Sequence, residues 1–251
     1  MQTKIKTAAE IEAMRESGSM LGTVLNILVK SAAVGMTTKQ LNDIAAYELK
    51  RLGGAPSFLG YQGFPEVLCV SLNEEVVHGI PSNERIIADG DIVSMDFGVT
   101  YKNMITDAAR SVIVGAPKQR KHVDLVTQTL ASLDAGIFSV KHHVRTGDIG
   151  ASVQTVLDKY HYGIVRDLVG HGVGHHLHED PNIPNYGRRN TGPWLEAGMT
   201  IAIEPMATLG TDRVGIAVDG WTIVTADKSW AAHFEDTVLI TQEGCEVLTR
   251  V

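Results

Sequence analysis

The sequence predicts an α+β fold, from three observations. Amphipathic helical stretches come in two pairs, strand-like runs follow each pair through short turns, and one strand-ending motif occurs twice. Successive short strands joined by tight turns pair antiparallel, which leaves the helices to cover one face of the sheet. The expected architecture is therefore a pseudo-twofold antiparallel sheet with two pairs of helices on one face.

The elements follow in order. Thr7-x-x-Glu10 has the form of a capping box and precedes Ile11, Met14, Leu21, Leu25 and Leu28, so the first helix is expected from Ala8 to Ala32, stopped by Gly35. A second helix is expected from Thr38 to Gly53-Gly54, through Leu41, Ile44, Ala45, Leu49 and Leu52. A third should run from Lys118 to Val140 and a fourth from Ile149 to Tyr160. Strands are expected at 67–71, 91–97, 111–114, 200–204, 222–225 and 237–241.

The repeated motif carries the chemistry. Gly90-Asp-Ile-Val-Ser-Met-Asp96 and Gly198-Met-Thr-Ile-Ala-Ile-Glu204 each end an apolar run on a carboxylate six residues after a glycine. Strand alternation puts Asp96 beside Ser94, and Glu204 beside Ala202, with Val93, Met95 and Phe97 and likewise Met199, Ile201 and Ile203 pointing the other way. Each half then has a further acid opening a strand, Asp107 and Glu235. Four carboxylates on apolar strands need a compensating cation, because burying an unpaired charge costs several kcal/mol. Arg110 is the nearest basic residue and cannot serve all four, so a divalent ion is the economical partner. Gly170-His-Gly-Val-Gly-His-His-Leu-His178 adds imidazoles on what reads as a glycine-rich turn holding His171, with His175 and His178 as the alternative ligands. His122, His142, His143, His161 and His233 lack such context and are expected at the surface. One imidazole with four carboxylates suits a pair of Mn, Fe or Co ions better than zinc. Such ions, roughly 3.5–4 Å apart, activate a shared water and polarise a carbonyl.

Composition narrows the role. The 251 residues carry 22 Lys plus Arg against 29 Asp plus Glu, a net charge of −7, which argues against nucleic-acid binding. Cys69 and Cys245 form no metal or disulfide motif, which fits a reducing compartment. Residues 1–10 have lysines without an apolar run behind them, and no stretch is long enough to span a bilayer. A single cytoplasmic domain over residues 1–251 is expected.

Several segments together resemble the type I methionine aminopeptidases, over nearly the whole chain. They are Cys69-Val-Ser-Leu-Asn-Glu-Glu-Val-Val-His78-Gly, the Asp96/Asp107 pair, Gly-His171-Gly-Val-Gly with His178-Glu, Ile-Glu204-Pro-Met and Phe-Glu235-Asp-Thr. The resemblance implies the pita-bread fold, two divalent ions (Co, Mn, Fe or Zn), and removal of N-terminal methionine from nascent proteins when the second residue is small. It implies that Asp96, with Asp107 and Glu235 as bridging acids, holds one ion, and that His171 and Glu204 with the same bridges hold the other. Glu204 is then also the general base, His78 contacts the substrate amide, and His178 stabilises the oxyanion. Tyr61, Phe64, Cys69 and Trp221 wall the methionine pocket; for Cys69, a buried strand position is the compatible plainer reading. N-terminal peptides are the implied partners, with transient proximity to the ribosome, in a protein read as a monomer.

Phe58 and Leu177 stand where many bacterial relatives have cysteine and phenylalanine, and Asp236 where many have histidine, which bears on the pocket rim and on metal preference. The related Xaa-Pro peptidases share the five ligands but carry a further N-terminal domain, and here the catalytic pattern starts almost at once. A non-catalytic peptide-binding module would be expected to have lost ligands.

Overall fold

A computed structural model describes residues 4–251 of the chain; the first three residues of the lysine-bearing N-terminal stretch lie outside them. Four α-helices are present among the described residues: α1 (Ala8–Ser31), α2 (Thr38–Leu52), α3 (Arg120–Phe138) and α4 (Thr146–Asp158). Both helices of the first pair start on a capping box, Thr7 with Glu10 and Thr37 with Gln40, in which the threonine hydroxyl takes one free amide and the partner side chain takes the other. Gly53, at φ +83°, closes α2 in the left-handed conformation that side chains avoid.

α4 starts at Thr146, three residues before the expected Ile149. The Asp148 carboxylate accepts the Arg145 amide at 3.1 Å, and the amides of Thr146 and Gly147 donate to Pro193 O and Thr191 O. A distant loop thus extends the helix backward, which local periodicity does not encode. The helix also ends at Asp158 rather than Tyr160.

Among the described residues the strands pair antiparallel, and the Ile92–Tyr101 strand is central to the first half. It pairs with Cys69–Leu72 on one side and, through a hairpin, with Met104–Ile113 on the other. Two expectations are corrected here. The Cys69 strand does not begin at Val67, because Asn42 Oδ1 accepts the amides of both Val67 and Leu68, at 3.0 and 3.2 Å, and diverts them from the ladder. The 111–114 strand begins seven residues earlier, at Met104, so Asp107 lies within it rather than opening it. The turn responsible, Lys102-Asn103, holds both residues at positive φ without any glycine to announce it.

In the second half, Asp236–Ile240 pairs with Thr200–Ile203, which pairs with Gly170–Gly172. The two halves meet where Ala109 and Glu235 exchange backbone hydrogen bonds, and where the Thr237 hydroxyl donates to Asp107 O and accepts from Asp107 N.

Alternation within the strands sets the core. Val93, Met95, Phe97 and Val99 are buried with Leu21, Leu25, Leu28, Leu41 and Leu49 of α1 and α2. Ile201 and Ile203 are buried with Leu125, Leu133, Ile149 and Val153 of α3 and α4. The opposite face of the same strands is thereby left to Asp96 and Glu204. α1 is also gripped by the other end of the chain. Arg15 forms a two-point ion pair with Glu246, and a Cβ on Gly18 would lie 2.2 Å from Leu248 O, so only glycine admits that approach.

Candidate metal centre

Asp96, Asp107, His171, Glu204 and Glu235, drawn from both halves, line one cavity of about 320 Å³. His78, His178, Tyr61, Phe64, Cys69 and Trp221 line it too, so every site residue expected from the sequence faces the same space. One ligand atom each from Asp107, His171 and Glu235 lies within 4.8 Å of the others, a span that one cation closes. Asp96 is close enough to Asp107 for the two carboxyls to perturb each other's ionisation.

The electrostatics of this cluster are those of acids without a countercharge. Burial pushes the Asp96 carboxyl up to about 7 and the Glu204 carboxyl up to about 8, with repulsion from Asp96 adding to the latter. Burial raises Asp107 and Glu235 well above the ordinary carboxylate range, and neighbouring acids raise them further. Asp96 Oδ1, Asp107 Oδ1 and Glu235 Oε1 are buried without a hydrogen-bond partner among the described residues. Arg110 does not supply the missing charge: its guanidinium donates to the Asp236 carboxylate and to the main-chain oxygens of Ala109, Glu235 and Thr249. Orphaned oxygens on convergent carboxylates are what a divalent cation satisfies, so this donor set fits a metal centre.

His171 does not sit in a turn, as its glycines suggested. It occupies the Gly170–Gly172 strand, opposite Ala202. The glycines serve close packing instead, since a Cβ on Gly170 would lie 2.4 Å from Ala202 O. His171 Nδ1 lies 3.0 Å from Gly172 O. A carbonyl only accepts, so Nδ1 carries the proton, and the Nε2 lone pair is the one presented 3.6 Å from Glu204 Oε1. Burial, then the neighbouring His178, lowers the His171 pKa to about 3, so the ring is neutral.

The other three histidines of the loop divide as structure and site. His175 Nε2 lies 2.8 Å from Glu10 Oε1, and Glu179 Oε1 accepts the amides of His175 and His176. Glu179 is in turn ion-paired with buried Lys6 at 3.1 Å. His178 stands at the cavity mouth, its Nδ1 2.8 Å from the Tyr61 hydroxyl and its ring 4.3 Å from that of His171. His78, also on the cavity wall, is held at φ +59°, a conformation uncommon for histidine. Gly79 holds it there: a Cβ at Gly79 would meet Val70 O at 2.2 Å, so the chain lies directly on the Cys69–Leu72 strand. Burial lowers the His78 pKa to about 4.

Beside the acids is an apolar recess. Phe58, Phe64, Cys69 and Leu177 form a buried cluster with Tyr61 and Trp221 against it, and Phe64 meets Trp221 edge-on at 5.3 Å. Cys69 is both a buried strand residue and a cavity wall, so its two readings coincide. Phe58 and Leu177, noted in the sequence as departures, belong to this wall. Asp236 does not: it points away from the cavity and accepts from Arg110, Thr249 and Arg250.

Two histidines expected at the surface are buried. His122 stacks on Trp230 at 3.9 Å between ring centres. His233 is 1 % exposed, with Nε2 3.8 Å from Glu204 Oε2. Its signal was parity: His233 and Glu235 are two residues apart, which in extended chain is one face. Of the others, His142 is half-buried and accepts the Ala197 amide, while His143 and His161 are exposed.

Comparison with known proteins agrees with this geometry. The profile of Metallopeptidase family M24 matches residues 12–242. A methionine aminopeptidase of Clostridium acetobutylicum is 44% identical over 98% of both chains. The crystal structure of a methionine aminopeptidase from Thermotoga maritima superposes with a TM-score of 0.98 and 43% identity over the full length of both. A prolidase from Pyrococcus furiosus shares the fold at a TM-score of 0.78 and 25% identity, but this chain covers only 65% of it. The shared architecture is the pita-bread α+β fold, and with its profile match and these relatives the chain belongs to metallopeptidase family M24.

Proposed function

We propose that this chain is a methionine aminopeptidase, acting on the N-terminal methionine of peptides and nascent proteins whose second residue is small. The observation that carries the reading is the adjacency of an acid cluster to a closed apolar recess of aromatic, thiol and aliphatic walls. A thioether side chain suits such a soft-walled recess, which borders the acids in the same cavity. The full-length likeness to methionine aminopeptidases, against partial coverage of a prolidase, favours this over an Xaa-Pro specificity.

Asp96, Asp107 and Glu235 would hold one divalent ion, and His171 and Glu204, with Asp107 and Glu235 shared, the second. When bound, such ions lower the pKa of a water and polarise the carbonyl. The remaining work belongs to the side chains. Glu204 takes the proton of the attacking water, being a carboxylate at the edge of the acid cluster and on the cavity wall. With the Tyr61 hydroxyl, 2.8 Å away, donating to its Nδ1, His178 would carry its N–H on Nε2, free to donate to the developing oxyanion. His78 contacts the substrate amide from the cavity wall. Tyr61, Phe64, Cys69 and Trp221 enclose the methionine side chain, while His78 and the His171 strand crowd the residue after it. Residues 1–251 act as one catalytic domain, as a monomer, in the cytoplasm and transiently near the ribosome. No described helix is long and apolar enough to cross a membrane.

The test is a peptide assay on apo-protein with Mn, Fe, Co or Zn added separately. Met-Ala-Ser should be cleaved and Met-Lys-Ser and Xaa-Pro peptides without an N-terminal methionine should not, and EDTA should abolish activity until metal returns. Equal rates on Met-Ala and Met-Lys, or full activity in EDTA with metal absence verified, would defeat the reading.

A further inference from the structure

One buried polar side chain on the wall of the acid cluster has no role in the scheme above. His233 ends the Ala231–His233 strand, and neither Nδ1 nor Nε2 has a hydrogen-bond partner among the described residues. Buried polar atoms are rarely left so, and each exception calls for a physical reason. The residue is not loosely held. Ser111 Oγ accepts the His233 amide at 2.9 Å and donates to the His233 carbonyl at 2.7 Å, and Ser94 Oγ braces Ser111 at 2.6 Å. With its backbone clamped on both sides, the residue is held beside Glu204, with Nε2 3.8 Å from Oε2.

The Glu204 carboxylate therefore lies between two imidazoles that differ in what they offer. His171 has placed its proton on Nδ1, toward Gly172, and turns a lone pair toward Oε1. Two lone pairs facing each other want a cation between them. His233 has no such commitment and is free to carry its proton on Nε2, toward Oε2. One oxygen of Glu204 then faces a donor, and the other faces the space that a cation would share with His171.

We propose that His233 is a positioning residue, donating Nε2–H to Glu204 Oε2 and so holding Oε1 toward His171 and the acid cluster. The present 3.8 Å gap exceeds a hydrogen bond. An approach of about 0.9 Å closes it, as does one bridging water, and such bonds are often long before an active site is filled. The inference rests on the reading of Glu204 as a ligand.

Apo forms of the wild type, H233Q, H233L and E204Q are titrated with Mn by calorimetry, and kcat and KM for Met-Ala-Ser are measured at saturating Mn. Loss of a group that orients a ligand typically costs about 10–100-fold in affinity or rate, so H233L should bind one of the two ions at least ~10-fold more weakly. Its kcat should fall while KM stays unchanged. H233Q, whose amide can donate to the same oxygen, should recover most of both. H233L that binds Mn like the wild type, or H233Q as impaired as H233L, overturns the proposal, since a merely space-filling residue gains nothing from a donor. If H233L does not melt cooperatively, H233M is compared with H233Q by the same criteria. E204Q separates the layers. Normal Mn binding by E204Q defeats the ligand reading itself, whereas weakened binding in E204Q with normal binding in H233L defeats only the role of His233.

Discussion

His171 and His178 lie seven residues apart, with rings 4.3 Å from each other, yet the geometry gives them opposite jobs. His171→Ala removes the only nitrogen donor of the five-residue set, a ring whose tautomer is locked by Gly172. Removing a group that merely supports a ligand costs roughly 10–100-fold in metal affinity, so removing the ligand should exceed that. His178→Ala removes no donor to the cation. It removes one hydrogen-bond donor aimed at the carbonyl, a loss that typically lowers kcat by about 10²–10³. Because His178 stands at the cavity mouth, partly in water, the lower end applies, near 10², or ~2.7 kcal/mol of transition-state stabilisation. The assay is calorimetric titration of both apo-variants with Mn, followed by kcat on Met-Ala-Ser at saturating metal. Tyr61→Phe serves as an internal control, since it frees the His178 tautomer without deleting the ring and should fall between wild type and His178→Ala. The reasoning is refuted if His178→Ala loses an ion while His171→Ala keeps both.

Three further outcomes follow from residues already described. Between about pH 6.5 and 8, EDTA-treated protein should lose stability as pH rises. In that window the folded chain keeps protons on Asp96 (about 7) and Glu204 (about 8) that the unfolded chain has released, while the buried histidines, with pKa values lowered to about 3–4, have lost their own pH effect above pH 6.5. Excess Mn should cancel the trend and release protons on binding; a melting temperature of the apo-protein that climbs from pH 6.5 to 8 contradicts it. Glu179→Leu takes the carboxylate from the fully buried Lys6 ammonium and from the amides of His175 and His176, and should cost ~3–5 kcal/mol in urea unfolding, with under 1 kcal/mol counting against the pair. Asp236→Asn should lower stability by about 3 kcal/mol through its two arginines yet leave two Mn bound, because its side chain faces away from the cavity; loss of one Mn would show otherwise.

Where a single periodicity decided the outcome, the sequence was readable. Asp96 and Glu204 fall on the face opposite Met95 and Ile203, and the strands put them there. The capping box at Thr7 marks the start of its helix. What escaped depended on partners far along the chain. Asn42, on α2, intercepts the amides of Val67 and Leu68 and delays a strand that β-propensity starts earlier. Lys102-Asn103 turns a hairpin without glycine, so the strand bearing Asp107 looked half its length. The glycines around His171 read as a turn because sequence does not show the Ala202 carbonyl they make room for. His233 hid for a related reason: Ala-Ala-His is too short and too small to register as a strand, and burial is conferred by Ser111 and Met206 across the sheet.

The grip of the chain's far end on α1 has a kinetic consequence. Arg15 and Glu246 are 231 residues apart, and at about 5–20 residues per second the ribosome needs roughly 12–46 s to make the second after the first. Through that interval the first helix has α2 and the Ile92–Tyr101 strand to rest on, but its Gly18 face stays open to water. Closing a loop of this length adds little to the equilibrium cost yet slows the search for the native pairing. Completion of the acid cluster waits for nearly the same moment, since Glu235 precedes Glu246 in the chain by only 11 residues. A newly made molecule should therefore acquire its metal affinity late and in one step, together with the docking of its oldest helix.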